Sequence, residues 1–143
     1  LVLSCASQVV AFTSKNPRAQ KHFLVVPKRH ISTIESLTPH DLPLIRHMRL
    51  VGTELLRQNA GGRFGGDAGT GPDLATDDQV GVGARLGFHA PPFHSVEHLH
   101  MHCLAPPFTQ PLAALRYAPT SFWFVAVQQL VDRLQSASED EPS

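Results

Sequence analysis

Between His98 and Leu104 the chain alternates imidazole and apolar side chains with period two: His98-Leu99-His100-Met101-His102-Cys103-Leu104. In an extended strand this puts 98, 100 and 102 on one face and Leu99, Met101 and Cys103 on the other. The apolar face suits a core. The imidazole face must meet something polar, because three histidines titrating near neutrality repel one another once charged. The spacing predicts a strand over Ser95 to Ala105, ended by Pro106-Pro107, that separates a core from a working surface.

A plain polar face on a surface strand is one alternative, but the flanking Pro-Pro pairs and glycines suit a shaped pocket better. A zinc site is the stronger competitor, since His-x-His on a strand can supply two ligands. At roughly 3.3 Å per residue, however, the outer two Cα atoms lie about 13 Å apart. A regular strand cannot easily close three rings on one ion with bonds of about 2 Å. Glu97, His89 and His94 keep that option open. What a row of spaced imidazoles suits best is an extended anion. Neutral histidine is a nucleophile near its pKa of about 6.5, and a neighbour that donates can stabilise phosphoryl oxygens or a leaving group.

The rest of the chain supplies an ordinary frame. Its 143 residues, 42% apolar and 17% charged, suffice for one domain. Twelve basic residues balance twelve acidic ones, which gives no support to a polyanion-coating role. Two cysteines, Cys5 and Cys103, argue against a disulfide scaffold or a four-cysteine zinc site. No apolar run reaches the length of a membrane-spanning helix. The chain opens on Leu1 rather than Met and shows no signal-peptide order, so a fragment or processed form, inside the cell, is the expectation.

Val9–Phe12 and His22–Val26 read as two strands around a turn at 14–18, the second stopped by Pro27. Thr38-Pro39-His40-Asp41 reads as a helix start, and Leu42, Ile45, Met48, Val51 and Leu55 mark one face of a helix to about Asn59. Pro43 suggests a start a few residues later. Gly61 to Gly83 holds eight of the ten glycines and no apolar periodicity, so it reads as a surface insertion. Gly83–His89 reads as a further strand. Trp123, Val127, Leu130, Val131 and Leu134 give a last helix opened by Thr120 or Ser121. Residues 136–143 read as a disordered acidic tail.

His98-x-His100-x-His102 followed by two apolar residues resembles the histidine-triad pattern, His-φ-His-φ-His-φ-φ, of the HIT nucleotide hydrolases and transferases. Phe23-Leu24-Val25-Val26-Pro27-Lys28-Arg29-His30-Ile31 is similar to that family's strand and turn before its helix. Leu86 to Phe93 with His94-Ser95, and a Trp-containing helix at Ser121–Val125, resemble the Hint-type subgroup. The likeness covers roughly residues 9 to 135, interrupted by the insertion at 61–83, with a divergent or truncated segment at 1–8. It implies an α+β fold, an antiparallel sheet with two main helices.

The same resemblance implies roles. His100 would attack the α-phosphate, His102 would contact phosphate and help the leaving group, and His98 would support the row. Ser95 would touch phosphate or the departing amine, and Phe12 and Ser14 would line the nucleotide pocket. His22 matches the extra upstream histidine of Hint-like proteins, which joins the nucleotide site from a neighbouring strand; its plain alternative is a histidine half in water at the start of a strand. Ser14 stands where the family has an acidic residue for the ribose hydroxyls, Gly87 where some Hint proteins have asparagine, and residues 1–7 do not match the family's first strand. Histidine at 102, where the family's transferases have glutamine, favours hydrolysis. The implied reaction is cleavage of nucleoside 5′-phosphoramidates to AMP and an amine, with no metal and no cofactor. A purine nucleotide as partner, a homodimer and a cytoplasmic or nuclear address complete the expectation. The alternatives are an aprataxin-like DNA-adenylate hydrolase, the one reading with a nucleic-acid partner, a dinucleoside polyphosphate hydrolase, and a weakly catalytic nucleotide-binding scaffold.

Overall fold

The computed structural model describes residues 2–5, 8–59, 84–90, 97–108, 117 and 124–140. Among them six antiparallel strands form one sheet: β1 (Val2–Cys5), β2 (Val9–Thr13), β3 (Ala19–Pro27), β4 (Arg85–His89), β5 (Met101–Phe108) and β6 (Phe124–Ala126). Their order across the sheet is β1-β2-β3-β5-β4-β6. Helices α1 (Leu42–Asn59) and α2 (Val127–Asp140) complete an α+β fold of the expected class.

Strand alternation decides what each face does. Phe23 and Val25 of β3, Met101 and Cys103 of β5, and Leu86 and Phe88 of β4 point one way and are buried with Ile45, Met48 and Leu56 of α1 and Leu130 and Leu134 of α2. This is the core. His22, Leu24 and Val26, with His102 between Leu24 and Gly87 in register, belong to the other face. The helices are thus confined to one side, and the histidines to the side without them.

Two glycines let the layers close. A Cβ on Gly52 of α1 would lie 2.6 Å from Cys103 Sγ and 2.7 Å from Met101 Cε, so the helix sits directly on the sheet there. A Cβ on Gly87 would lie 2.4 Å from the carbonyl oxygen of Val125 and 2.7 Å from the Phe124 ring. Gly87 is therefore the contact across which β6 reaches β4, and an asparagine has no room at that position.

The helix start behaves as its sequence predicts. The Thr38 N–H donates to Asp41 Oδ2 at 2.9 Å, and the Asp41 N–H to the Thr38 carbonyl at 2.9 Å, closing a 3₁₀ turn over Pro39–Asp41. Arg29 pairs with the same carboxylate. Helix α1 begins only at Leu42, a few residues later as Pro43 suggested, and Pro43 lies in its first turn, where a missing N–H costs nothing. Arg49 Nη1 donates to Gln128 Oε1 at 2.7 Å and ties α1 to α2.

Other expectations are corrected. Within the described part of the expected Ser95–Ala105 strand, β5 begins only at Met101, so that of the three histidines His102 alone lies in it, and it passes through Pro106-Pro107 to Phe108. It can do so because the register slips there, Lys21 facing Ala105 but Ala19 facing Phe108, a bulge where lost N–H groups break no regular ladder. Pairing with β4 already ends at Arg85 and Leu104. Residues 124–126, expected in a helix, form β6 against β4, and α2 begins only at Val127. That helix runs on to Asp140, so 136–140 are helical, with exposed side chains, where a disordered tail was expected. The divergent segment 1–8 supplies β1, paired with β2. The insertion at 61–83, Ser95, Thr120, Ser121 and Trp123 lie outside the described residues.

Gly87→Ala is expected to lower stability by about 2–3 kcal/mol, the upper range for overpacking against an atom that cannot move aside. Gly52→Ala is expected to cost less, because alanine recovers about 1 kcal/mol of helix propensity. Urea denaturation of the two variants checks the order.

Candidate functional site

A cavity of about 570 Å³ opens on the sheet face away from the helices. Its described lining includes His98, His100, His102, His22, Phe12 and Ser14, so six of the seven predicted site residues meet in one place. The seventh, Ser95, lies outside the described residues. His98 and His100 precede the first residue of β5 rather than sitting within it, in a segment held by the Leu99 N–H on the Ile31 carbonyl at 2.6 Å.

The hydrogen bonds fix which nitrogen of each ring carries its proton, since a carbonyl can only accept and a backbone N–H can only donate. His98 Nε2 lies 3.0 Å from the Pro27 carbonyl oxygen and therefore donates to it. His100 Nδ1 lies 2.8 Å from the carbonyl oxygen of His98 and donates likewise. In the neutral ring this leaves the lone pair of His100 on Nε2. His22 Nδ1 receives the Arg18 N–H at 3.1 Å, so the proton of neutral His22 is on Nε2. That proton is donated to His102 Nδ1, 2.9 Å away. His102 is left as the tautomer with its hydrogen on Nε2.

Burial keeps this chain in one state. His22 is 3% exposed and His102 7%. Burial first, then the Arg18 guanidinium and His100, hold the pKa of His22 well below its ordinary 6.5, at about 4. His22 is therefore neutral at physiological pH rather than half in water at the start of a strand. Were it charged, its Nδ1–H would face the Arg18 N–H.

Six lining residues were not assigned a place in this pocket by sequence reasoning: Asn16, Arg18, Leu24, Val26, His89 and Tyr117. The His89 ring lies 4.5 Å from that of His102, centroid to centroid. Tyr117, 4% exposed, packs at 4.9 Å from His89, 5.2 Å from His102 and 5.7 Å from His22. Arg18 joins the lining from the turn between β2 and β3. His89 was legible: alternation along β4 places Arg85, Gly87 and His89 opposite the buried Leu86 and Phe88. Nothing in the local sequence marks Tyr117. Among the described residues no three His, Cys, Asp or Glu side chains are arranged to hold a metal ion.

Comparison with known proteins adds to this geometry. The family model described as "Scavenger mRNA decapping enzyme C-term binding" matches residues 2–117. Adenosine 5′-monophosphoramidase HINT3 of Xenopus tropicalis is 35% identical over 137 residues, which are 95% of this chain and 78% of that protein. The bifunctional adenosine 5′-phosphosulfate phosphorylase/adenylylsulfatase HINT4 of Arabidopsis thaliana is 38% identical over 118 residues, 81% of this chain and 68% of that protein. Aprataxin of Danio rerio is 28% identical over 89% of this chain but only 34% of its own length. A HIT family hydrolase from Legionella pneumophila superposes with a TM-score of 0.56 at 25% identity, covering 74% of this chain and 80% of the other.

The depressed pKa of His22 has a consequence for stability. Between about 6.5 and about 4 the unfolded chain binds a proton at this position that the folded chain refuses, so this part of the stability is lost as pH falls through that window. The advantage in Tm of the natural chain over His22→Gln should be largest at pH 7 and above and shrink steadily toward pH 4. Thermal melts across that range measure it.

Proposed function

The chain belongs to the histidine-triad family as a nucleotide hydrolase, and we propose that the bond it cleaves is the P–N bond of nucleoside 5′-phosphoramidates, through a nucleotide carried on His100. The observation that supports this reading above others is the His100 Nδ1–H bond to the His98 carbonyl at 2.8 Å. It commits one nitrogen to the main chain and leaves the Nε2 lone pair to the cavity without any need to remove a proton first. The 35% identity to an adenosine 5′-monophosphoramidase over nearly the whole chain supports the choice of substrate.

The steps follow from the tautomers. His100 Nε2 forms a bond to the α-phosphorus, and the P–N bond breaks; the nitrogen, protonated in the reactive form of the substrate, departs as the amine. The charge spread over the phosphoryl oxygens during this exchange needs donors already in place. His102 offers its Nε2–H in that role, and because His22 fills its Nδ1 the ring cannot turn over to the other tautomer. His98, bonded to the Pro27 carbonyl, holds the segment that carries His100. Water then displaces His100 from phosphorus, releasing the nucleoside monophosphate. Phe12, Leu24 and Val26 form an apolar wall suited to the base.

An adenylated DNA end asks for the same first step, and likeness to aprataxin supports that second reading. The balanced charge of the chain, twelve basic against twelve acidic residues, supplies no surplus for holding a strand.

Purified protein should release amine and AMP from adenosine 5′-phosphoramidate, and His100→Ala should cut kcat/KM by at least about a thousandfold. Rapid acid quench of the natural chain should trap one nucleotidyl group on His100, seen by mass spectrometry of the peptide. His102→Gln, which keeps an N–H donor, should retain more activity than His102→Ala. No turnover, or turnover undiminished in His100→Ala, contradicts the proposal.

A further inference from the structure

A nucleotide attacked at phosphorus by His100 has its sugar between base and phosphate, and the sheet register shows what that sugar meets. Phe12 lies opposite Leu24, and Leu24 opposite His102, so the apolar wall stands directly beside the imidazoles. With a base on that wall and the phosphorus at His100, the sugar falls to the polar rim carried by the turn after β2, Ser14, Asn16 and Arg18, since His89 and Tyr117 pack against the His102 ring.

The chemistry of that rim is one-sided. A pair of sugar hydroxyls is held best by an acceptor such as a carboxylate, and among the described lining residues there is none. Arg18 offers five N–H donors in a rigid fork and no acceptor, the shape that meets two phosphate oxygens at once. The turn that carries it is pinned at three points. The Ser14 N–H donates to the His22 carbonyl at 2.9 Å, the Asn16 N–H to Ser14 Oγ at 3.3 Å, and the Arg18 N–H to His22 Nδ1 at 3.1 Å. The guanidinium charge is also felt at the imidazoles, being one of the causes that lower the pKa of His22. The cation thus stands within electrostatic reach of the reacting centre, on a held stretch of chain.

Resting on the nucleotide reading above, we infer that Arg18 forms an anion subsite for a phosphate on the sugar, so that the pocket prefers nucleotides phosphorylated at the 2′ or 3′ hydroxyl as well as at the 5′ position. Ser14, whose oxygen already accepts from Asn16, borders the subsite and adds a hydroxyl donor. The second phosphate is recognised and not transformed; it remains on the sugar through both steps at His100.

Equilibrium binding decides this without turnover. Calorimetry with the full chain compares AMP, adenosine 2′,5′-bisphosphate, adenosine 3′,5′-bisphosphate and ADP, the last carrying the same added phosphate at the 5′ end instead. One bisphosphate should bind about tenfold or more tighter than AMP, as a charge-assisted hydrogen-bonded contact allows, and tighter than ADP. Which of the two does so identifies the hydroxyl. Arg18→Gln should abolish the preference, Arg18→Lys should keep part of it, and added salt should weaken it. Bisphosphates binding no tighter than AMP or ADP, or a preference that survives Arg18→Gln, overturns the inference. Cleavage of adenosine 5′-phosphoramidate by the same preparation judges the hydrolase reading separately. A chain that cleaves nothing yet keeps an Arg18-dependent preference upholds the subsite and refutes the reaction alone.

Discussion

The main chain commits one nitrogen of each of three imidazoles, and the chemistry of the site depends on that commitment. His98 is bound to the carbonyl of Pro27, His100 to that of His98, and His22 to the amide of Arg18. A neutral imidazole has one donor and one acceptor, so fixing the first nitrogen determines the second. His102 is then fixed at one remove, through His22. Four rings that would otherwise exchange tautomers freely are held as one nucleophile and a set of donors.

This arrangement survives because the sheet keeps its two faces distinct. Strands β3 and β5 lie side by side at its centre, so Leu24 and His102 are neighbours on one face while Phe23 and Cys103 are neighbours on the other. The helices take the second face entirely, and Gly52 lets α1 approach without a side chain between the layers. On the first face a small apolar group, Ala19, Leu104, Tyr117 and Phe124, flanks the histidines and shields His22 and His102 from water. Dry surroundings strengthen each hydrogen bond of the chain and disfavour the charged form of His22.

Period-two alternation made the central strand and the imidazole face legible in the sequence, and the 14–18 turn and the α1 stripe were legible from turn residues and helical spacing. The errors have physical causes. Pro106-Pro107 looked like a stop, but a bulge with no β4 partner tolerates two missing N–H groups, which only the neighbouring strands reveal. Phe124 to Ala126 looked helical because three apolar residues fit either period, and pairing with β4 decided for strand. His89 could have been found by the alternation that found His102. Tyr117 could not: it reaches the cluster by tertiary packing from a stretch with no pattern of its own. The tautomers were also beyond the sequence, since they are set by carbonyl and amide groups identical in every residue.

The central claim is that His100 carries its proton on Nδ1 while His22 and His102 carry theirs on Nε2. Long-range ¹H–¹⁵N correlation spectra of the histidine rings report that assignment directly, without substrate or substitution. At pH 7 the account predicts a pyrrole-type Nδ1 and an imine-type Nε2 for His100, with the reverse pattern for His22 and His102. Protonated Nε2 on neutral His100, or averaged shifts for His22 and His102 that show exchange between tautomers, would contradict it.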